Sequence, residues 1–280
     1  MNRNIGLVVD STFGLDKKYA KENHITVVPL KVIIDDKEYV DGEIAPEIIN
    51  QALYDKRDIK TSQPSPEQFI RAYEEQLEKF DYVICMTISK SLSGTFNSAN
   101  LGKTILENEN IYVVDSESNI NGAAYLAEKL IEYLDEGHHI SDALGYLEKI
   151  KEKGSLVFTV DNLQYLVKSG RISKVQAVIG NVLKIKPILR FERGVLGLES
   201  KVRGFNNVIA YLVKEVHQII ENGKAIVRIA YVDKSVEAKM LEHEIYQIGE
   251  NVSVKITGII SPVVSAHVGP GGLGIYLTLA

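Results

Sequence analysis

The chain has 280 residues, 45% of them apolar and 25% charged, the make-up of a globular protein with a sizeable core. That length serves one large domain or two modest ones. Lysine and arginine number 32 against 37 acids, a net charge of −5, and the bases are scattered, so nothing points to nucleic acid or an anionic lipid surface as a partner.

The start, MNRNIGLVVD, lacks the apolar core and cleavage site of a secretory signal, so the expected location is the cytoplasm. IGLVVD reads as a strand ending at Asp10-Ser11-Thr12. Next, TSQPSPEQF opens a helix: Ser65 is the cap, Pro66 the first helical residue, and Gln68 completes the capping box. YVICMTIS is a second strand running into a Ser/Gly-rich loop, with a helix from Thr95 through ANLGKTIL. Its Cys85 is the only cysteine, which excludes an internal disulfide and a thiolate metal cluster and reads as an inert core residue. IYVVD, a third strand, stops at Asp115-Ser116, and the helix AAYLAEKLIEYLDEG follows. Apolar runs with polar loops at their carboxyl ends, alternating with helices, predict a parallel sheet.

From Gly154 the pattern changes. SLVFTV is a strand, Asp161 is expected to cap the helix NLQYLVKS, and SKVQAVIGNVL is expected to form a second helix. PILRFERGVLGLESKV reads as a hairpin turning at Arg193-Gly194. Helix 206–222, strand AIVRIAYV, helix 235–248, strand SVKITGII and a final strand IYLTLA complete the chain. The expected fold class is α/β with two domains. The first, 1–152, has a mainly parallel, Rossmann-like sheet; the second, 153–280, has mixed or antiparallel pairing, and the two halves are free to interleave.

Three segments carry chemistry. SLSGTFNSA puts Ser93, Gly94 and Thr95 at a helix N-terminus, where unpaired N–H groups and hydroxyls suit an anion; one carboxylate fits better than a triphosphate, since no Walker lysine is present. The same residues also serve a plain cap. In TSQPSP the cap accounts for Ser65 and Pro66 and leaves Thr61 and Ser62 available to a ligand. From Ile256 to Ala280 no side chain is charged and His267 is the only imidazole, a polar group where polar groups are costly. Pro262, Pro270 and the glycines there favour strand–loop–strand over a membrane helix, with His267 on a shaped loop. The other histidines sit among charged residues and lack metal spacing. Gly269 to Gly274 match G-x-G-x-x-G, yet no helix or later acid follows, so the nucleotide reading is rejected in favour of a tight turn or a close backbone approach to a bound chain. Arg171 after Gly170, with Lys201 and Arg203, forms either ordinary helix-end chemistry or a basic docking face. Asp10 and Asp115 read as turn residues.

VVDST (8–12), TSQPSP (61–66), ISKSLSGTFNSA (88–99), VVDSES (113–118), LVKSGRIS (166–173), IKPIL (185–189) and HVGPGGLG (267–274) together resemble the DegV family, in order and over nearly the whole chain. The resemblance implies the fatty-acid-binding subunit of a bacterial fatty acid kinase, with an acyl chain buried in a pocket between two α/β domains. It implies that Thr61 and Ser93 hydrogen-bond the carboxylate with His267 close by, and that Arg171 faces the ATP-binding kinase subunit. The product would be an acyl phosphate, a phospholipid precursor. Ser169 departs from the glycine many relatives carry. No cofactor, metal or catalytic residue of its own is expected. Two alternatives stay open: a serine hydrolase using Ser93 and His267 with Asp10 or Asp115, and a fatty-acid sensor with no phosphotransfer role.

Overall fold

IGLVVD forms β1 (Ile5–Asp10), buried at every position, as a strand covered on both faces must be. The computed structural model describes residues 3–172 and 185–280; the helix expected over SKVQAVIGNVL lies outside the described residues. After β1 come α1 (Lys17–Glu22), β2 (Ile25–Val28), β3 (Lys31–Ile34), β4 (Lys37–Val40) and α2 (Pro46–Tyr54). Then follow β5 (Ile59–Ser62), α3 (Pro66–Leu77), β6 (Tyr82–Thr87), α4 (Thr95–Leu106), β7 (Ile111–Asp115), α5 (Ile120–Asp135) and α6 (Ile140–Lys151).

Four of these strands make an all-parallel sheet in the order β2-β1-β6-β7. Alternate residues of β1 face opposite layers. Leu7 and Val9 pack with Ala123, Leu126 and Leu147 of α5 and α6, whereas Val8 packs with Phe69 and Tyr73 of α3 and Ala99 of α4. Cys85 is fully buried in that second layer, and burial pushes its thiol up to about 12. A small antiparallel sheet, β4-β3-β5, stands apart; its short strands were not expected from the sequence.

The second sheet begins with β8 (Gly154–Thr159) and α7 (Gln164–Lys168). It continues through β9 (Ile185–Glu192), β10 (Val195–Arg203), α8 (Phe205–Ile220), β11 (Ala225–Tyr231), α9 (Ser235–Tyr246), β12 (Val252–Ile259), α10 (Pro262–Val268) and β13 (Leu273–Leu279). Strand order is β10-β9-β8-β13-β11-β12, antiparallel except for β11 with β12, so the pairing is mixed. The β9–β10 hairpin turns where expected, with Arg193 (φ 48°) and Gly194 (φ 76°) both in the left-handed region.

Two expectations are corrected. The uncharged tail is strand–helix–strand: Pro262 opens α10 at its first turn, and His267 sits in the last turn of that helix rather than on a loop. Asp161 does not cap α7; it pairs with Lys186, and Asn162 accepts from Gln164 N at 2.9 Å instead. The halves also pack across one another. Tyr125 of α5 meets Tyr276 of β13 at 5.4 Å between ring centroids, and Val263 of α10 joins a core with Leu30, Val32 and Ile49. Among the described residues no helix is long and apolar enough to cross a membrane.

Candidate functional site

A cavity of about 170 Å³ opens where the halves meet. Its walls are mostly apolar: Leu30, Ile88 and Leu92 come from the first half, and Phe158, Phe191 and Val264 from the second. Its polar lining residues are Thr61, Gln63, Ser93, Asn119, Asn121, Arg171 and His267, of which Thr61 and His267 are in direct contact. An apolar cavity with a few convergent polar groups is the usual form of a small-molecule site.

Thr61 is carried by β5, opposite Val32 of β3, and its Oγ1 lies 2.9 Å from Nε2 of His267. Either group can donate, according to the imidazole tautomer. Burial drives the His267 pKa down to about 4, and the nearby Arg171 guanidinium pushes the same way, so the ring is neutral at pH 7. Ser62 follows Thr61 on the strand and therefore points to the opposite face; its hydroxyl turns to the Gln63 carbonyl, and it lies outside the lining.

Ser93 belongs to the loop between β6 and α4. Its Oγ lies 2.9 Å from Thr95 Oγ1 and accepts from Thr95 N at 3.3 Å. Ser93 thus accepts from the first amide of α4 while lining the cavity. Thr95 itself is fully buried and off the lining. The sequence reading left the Gly94 backbone open to a ligand. Gly94 lines the cavity, and Gln63 packs against it: a Cβ on Gly94 would meet its Oε1 at 2.2 Å, while its Nε2 donates to Ser98 Oγ at 2.8 Å. Gln63 was overlooked although it lies inside TSQPSP.

Arg171 lines the cavity, half-buried, with Nε donating to Leu92 O at 3.0 Å and Nη1 to Ser169 O at 2.6 Å. Burial lowers its pKa. Lys201 and Arg203, grouped with it on sequence grounds, are exposed on β10. Residues 269–272 link α10 to β13, in which Gly274 lies opposite Phe158; Gly269 abuts the Tyr165 ring, and Gly272 and Gly274 line the cavity.

The bonds a serine-hydrolase triad needs are not made. His267 Nε2 meets Thr61 rather than Ser93. Asp10 accepts from Thr12 and Ile88, and Asp115 accepts from the Lys90 and Glu117 amides. Among the described residues no group of three or more His, Cys, Asp or Glu side chains is placed to hold a metal ion.

A family model described as "Uncharacterised protein, DegV family" matches residues 4–279. A DegV domain-containing protein of Staphylococcus aureus (strain MRSA252) is 36% identical over 279 residues, spanning 97% of each chain. Among solved structures, a DegV family protein from Thermus thermophilus, described for its fatty acid binding, superposes with a TM-score of 0.91 at 31% identity. The alignment covers 99% of this chain and 100% of that one. DegV from Bacillus subtilis, described as a fatty acid binding protein, gives 0.89 at 28% identity over 99% and 100%. The chain belongs to the DegV family.

Proposed function

We propose that this protein binds a long-chain fatty acid in the cavity between its halves, divided near 152/153, and presents the carboxylate to a separate ATP-dependent kinase. The observation that carries the reading is the Thr61–His267 pair on the wall of a mostly apolar cavity, with Ser93 and Arg171 on the same lining. The fatty-acid-binding descriptions of the Thermus and Bacillus proteins support it.

Each methylene taken from water contributes about 0.8 kcal/mol, so a long acyl chain supplies most of the affinity. The headgroup fixes direction. In this reading the Thr61 and Ser93 hydroxyls donate to the carboxylate, and the Arg171 charge keeps it ionised. An anion beside His267 also raises the ring's affinity for a proton, so the imidazole becomes a stronger donor once the ligand is bound.

The kinase subunit would bring ATP to this carboxylate. A carboxylate oxygen attacks the γ-phosphorus, the bond from that phosphorus to the ADP oxygen breaks, and acyl phosphate and ADP result. This chain orients the nucleophile and supplies no nucleotide site. Arg171, Lys201 and Arg203 are the residues we assign to the kinase-facing side, Arg171 reaching it from the cavity.

The test is to mix the loaded protein, purified fatty acid kinase and ATP, and to trap acyl phosphate with hydroxylamine. Product that depends on this protein and falls on Ser93→Ala supports the reading. Tight fatty acid binding with no acyl phosphate would identify a sensor instead.

A further inference from the structure

Two buried acids stand behind the cavity wall, Asp10 at 0% and Asp41 at 4% exposure. Buried carboxylates are costly unless hydrogen-bonded, and each of these two accepts from the backbone of a lining residue, Ile88 for Asp10 and Val263 for Asp41. Asp10 accepts from Ile88 N at 2.6 Å and from Thr12 N at 3.0 Å, anchoring the end of β6 where the Ser93 loop begins. Its neighbour Ser11 donates to Asp41 Oδ2 at 2.7 Å and accepts from Leu30 N at 3.1 Å. Asp41 N returns to Leu30 O at 3.0 Å, which closes a ring around one lining residue. The other oxygen of Asp41 accepts from Val263 N at 3.1 Å.

That last bond caps α10 from the opposite half of the chain. Ser261, at the N-cap position, makes no side-chain cap bond of its own. A seven-residue helix does not stand alone in water, so its pitch depends on what holds its ends. His267 follows Val263 by four residues, on the same face and about 6 Å along the axis. A tilt at Asp41 is therefore felt at the imidazole.

We infer that Ser11 and Asp41, together with Asp10, are positioning residues for the headgroup grip, a yoke that sets the Ser93 loop and the His267 helix at a fixed separation. The dipeptide Asp10-Ser11 holds both arms: Asp10 grips the Ser93 side, and Ser11 reaches the His267 side through Asp41. The inference rests on the proposed fatty acid reading.

The experiment compares radiolabelled palmitic acid with methyl palmitate, which keeps the chain and lacks the charge. Both are offered from phosphatidylcholine vesicles to wild type, Ser11→Ala, Asp41→Ala and Asp41→Asn. The last keeps an acceptor for Val263 and serves if Asp41→Ala fails to fold. The expected result is a preference for acid over ester in wild type that falls about tenfold in Ser11→Ala and Asp41→Ala, with ester uptake unchanged. Equal loss of both ligands would show a merely structural role and overturn the inference, as would an unchanged preference. Wild type that takes up neither ligand would instead sink the fatty acid reading itself.

Discussion

Thr61 and His267 are separated by 206 positions, yet their side chains meet at 2.9 Å on the lining of the cavity. The contact joins a strand of the small antiparallel sheet to a helix of the uncharged tail. Thr61→Val keeps the shape and removes the hydroxyl. It should weaken fatty acid binding about tenfold and cost about 1 kcal/mol of stability, because His267 Nε2 loses its partner. Titration with a fluorescent fatty acid, beside a melting curve, checks both halves of the expectation.

The neutral imidazole has a signature in pH. Burial holds His267 near 4, against an ordinary value of 6.5, so between these values the unfolded chain takes up a proton that the folded chain refuses. Its contribution to stability is complete above pH 6.5 and is lost progressively as the pH falls toward 4, by up to about 3 kcal/mol. Asp10 opposes it. Burial pushes its carboxyl up to about 6, so the folded chain gains stability from that group as the pH falls below 6. His267→Gln should therefore flatten the acid-side loss in urea unfolding between pH 6.5 and 4. In the NMR spectrum the His267 ring should titrate near 4 when empty and at a higher pH with fatty acid bound.

Packing beside the cavity makes a separate prediction. A Cβ on Gly274 would meet Phe158 Cβ at 2.3 Å and the Val157 carbonyl at 2.9 Å, contacts with neighbouring strand backbone that cannot give way cheaply. Gly274→Ala should cost about 2 kcal/mol or more in urea unfolding. Gly145, inside α6, has nothing within 4 Å of that position, and Gly145→Ala should stabilise by about 0.5 kcal/mol or more.

Ala230 lines the cavity from the end of β11. Ala230→Leu adds three carbon atoms to a space of about 170 Å³, and the ligand must give them up. The variant should lose C18 acids before C14 acids in a competition assay read by mass spectrometry. Equal loss of both lengths would place Ala230 away from the acyl chain.

The parallel sheet was legible because β1, β6 and β7 are continuous apolar runs ending in Asp or Thr, a pattern that few other structures require. The hairpin was legible from Arg193-Gly194, whose turn needs left-handed backbone at both positions. What escaped depends on partners distant in sequence. The strands β3, β4 and β5 are four residues each and carry charges, so their pattern is weak until they pair. The helix α10 holds two adjacent valines, and its cap bond comes from Asp41, 222 positions away. No local signal announces such a cap.

The site was legible in its residue types more than in its arrangement. Thr61, Ser93 and His267 do share one cavity lining. Ser62 and Thr95 do not, one through strand alternation and the other because its hydroxyl meets Ser93 in the interior. Arg171 reads in sequence as either helix-end chemistry or a docking face; its Nε reaches the Leu92 carbonyl on the cavity lining. That inward turn depends on a contact made over 79 positions, beyond the reach of helix-capping rules.

The most direct measurement is native mass spectrometry of the protein as purified from a bacterial host, repeated after organic extraction. A tunnel that buries an alkyl chain should carry one fatty acid per chain, removable by solvent and restored from vesicles. A protein that emerges at its bare mass and stays there after exposure to palmitic, oleic and stearic acids would contradict the account.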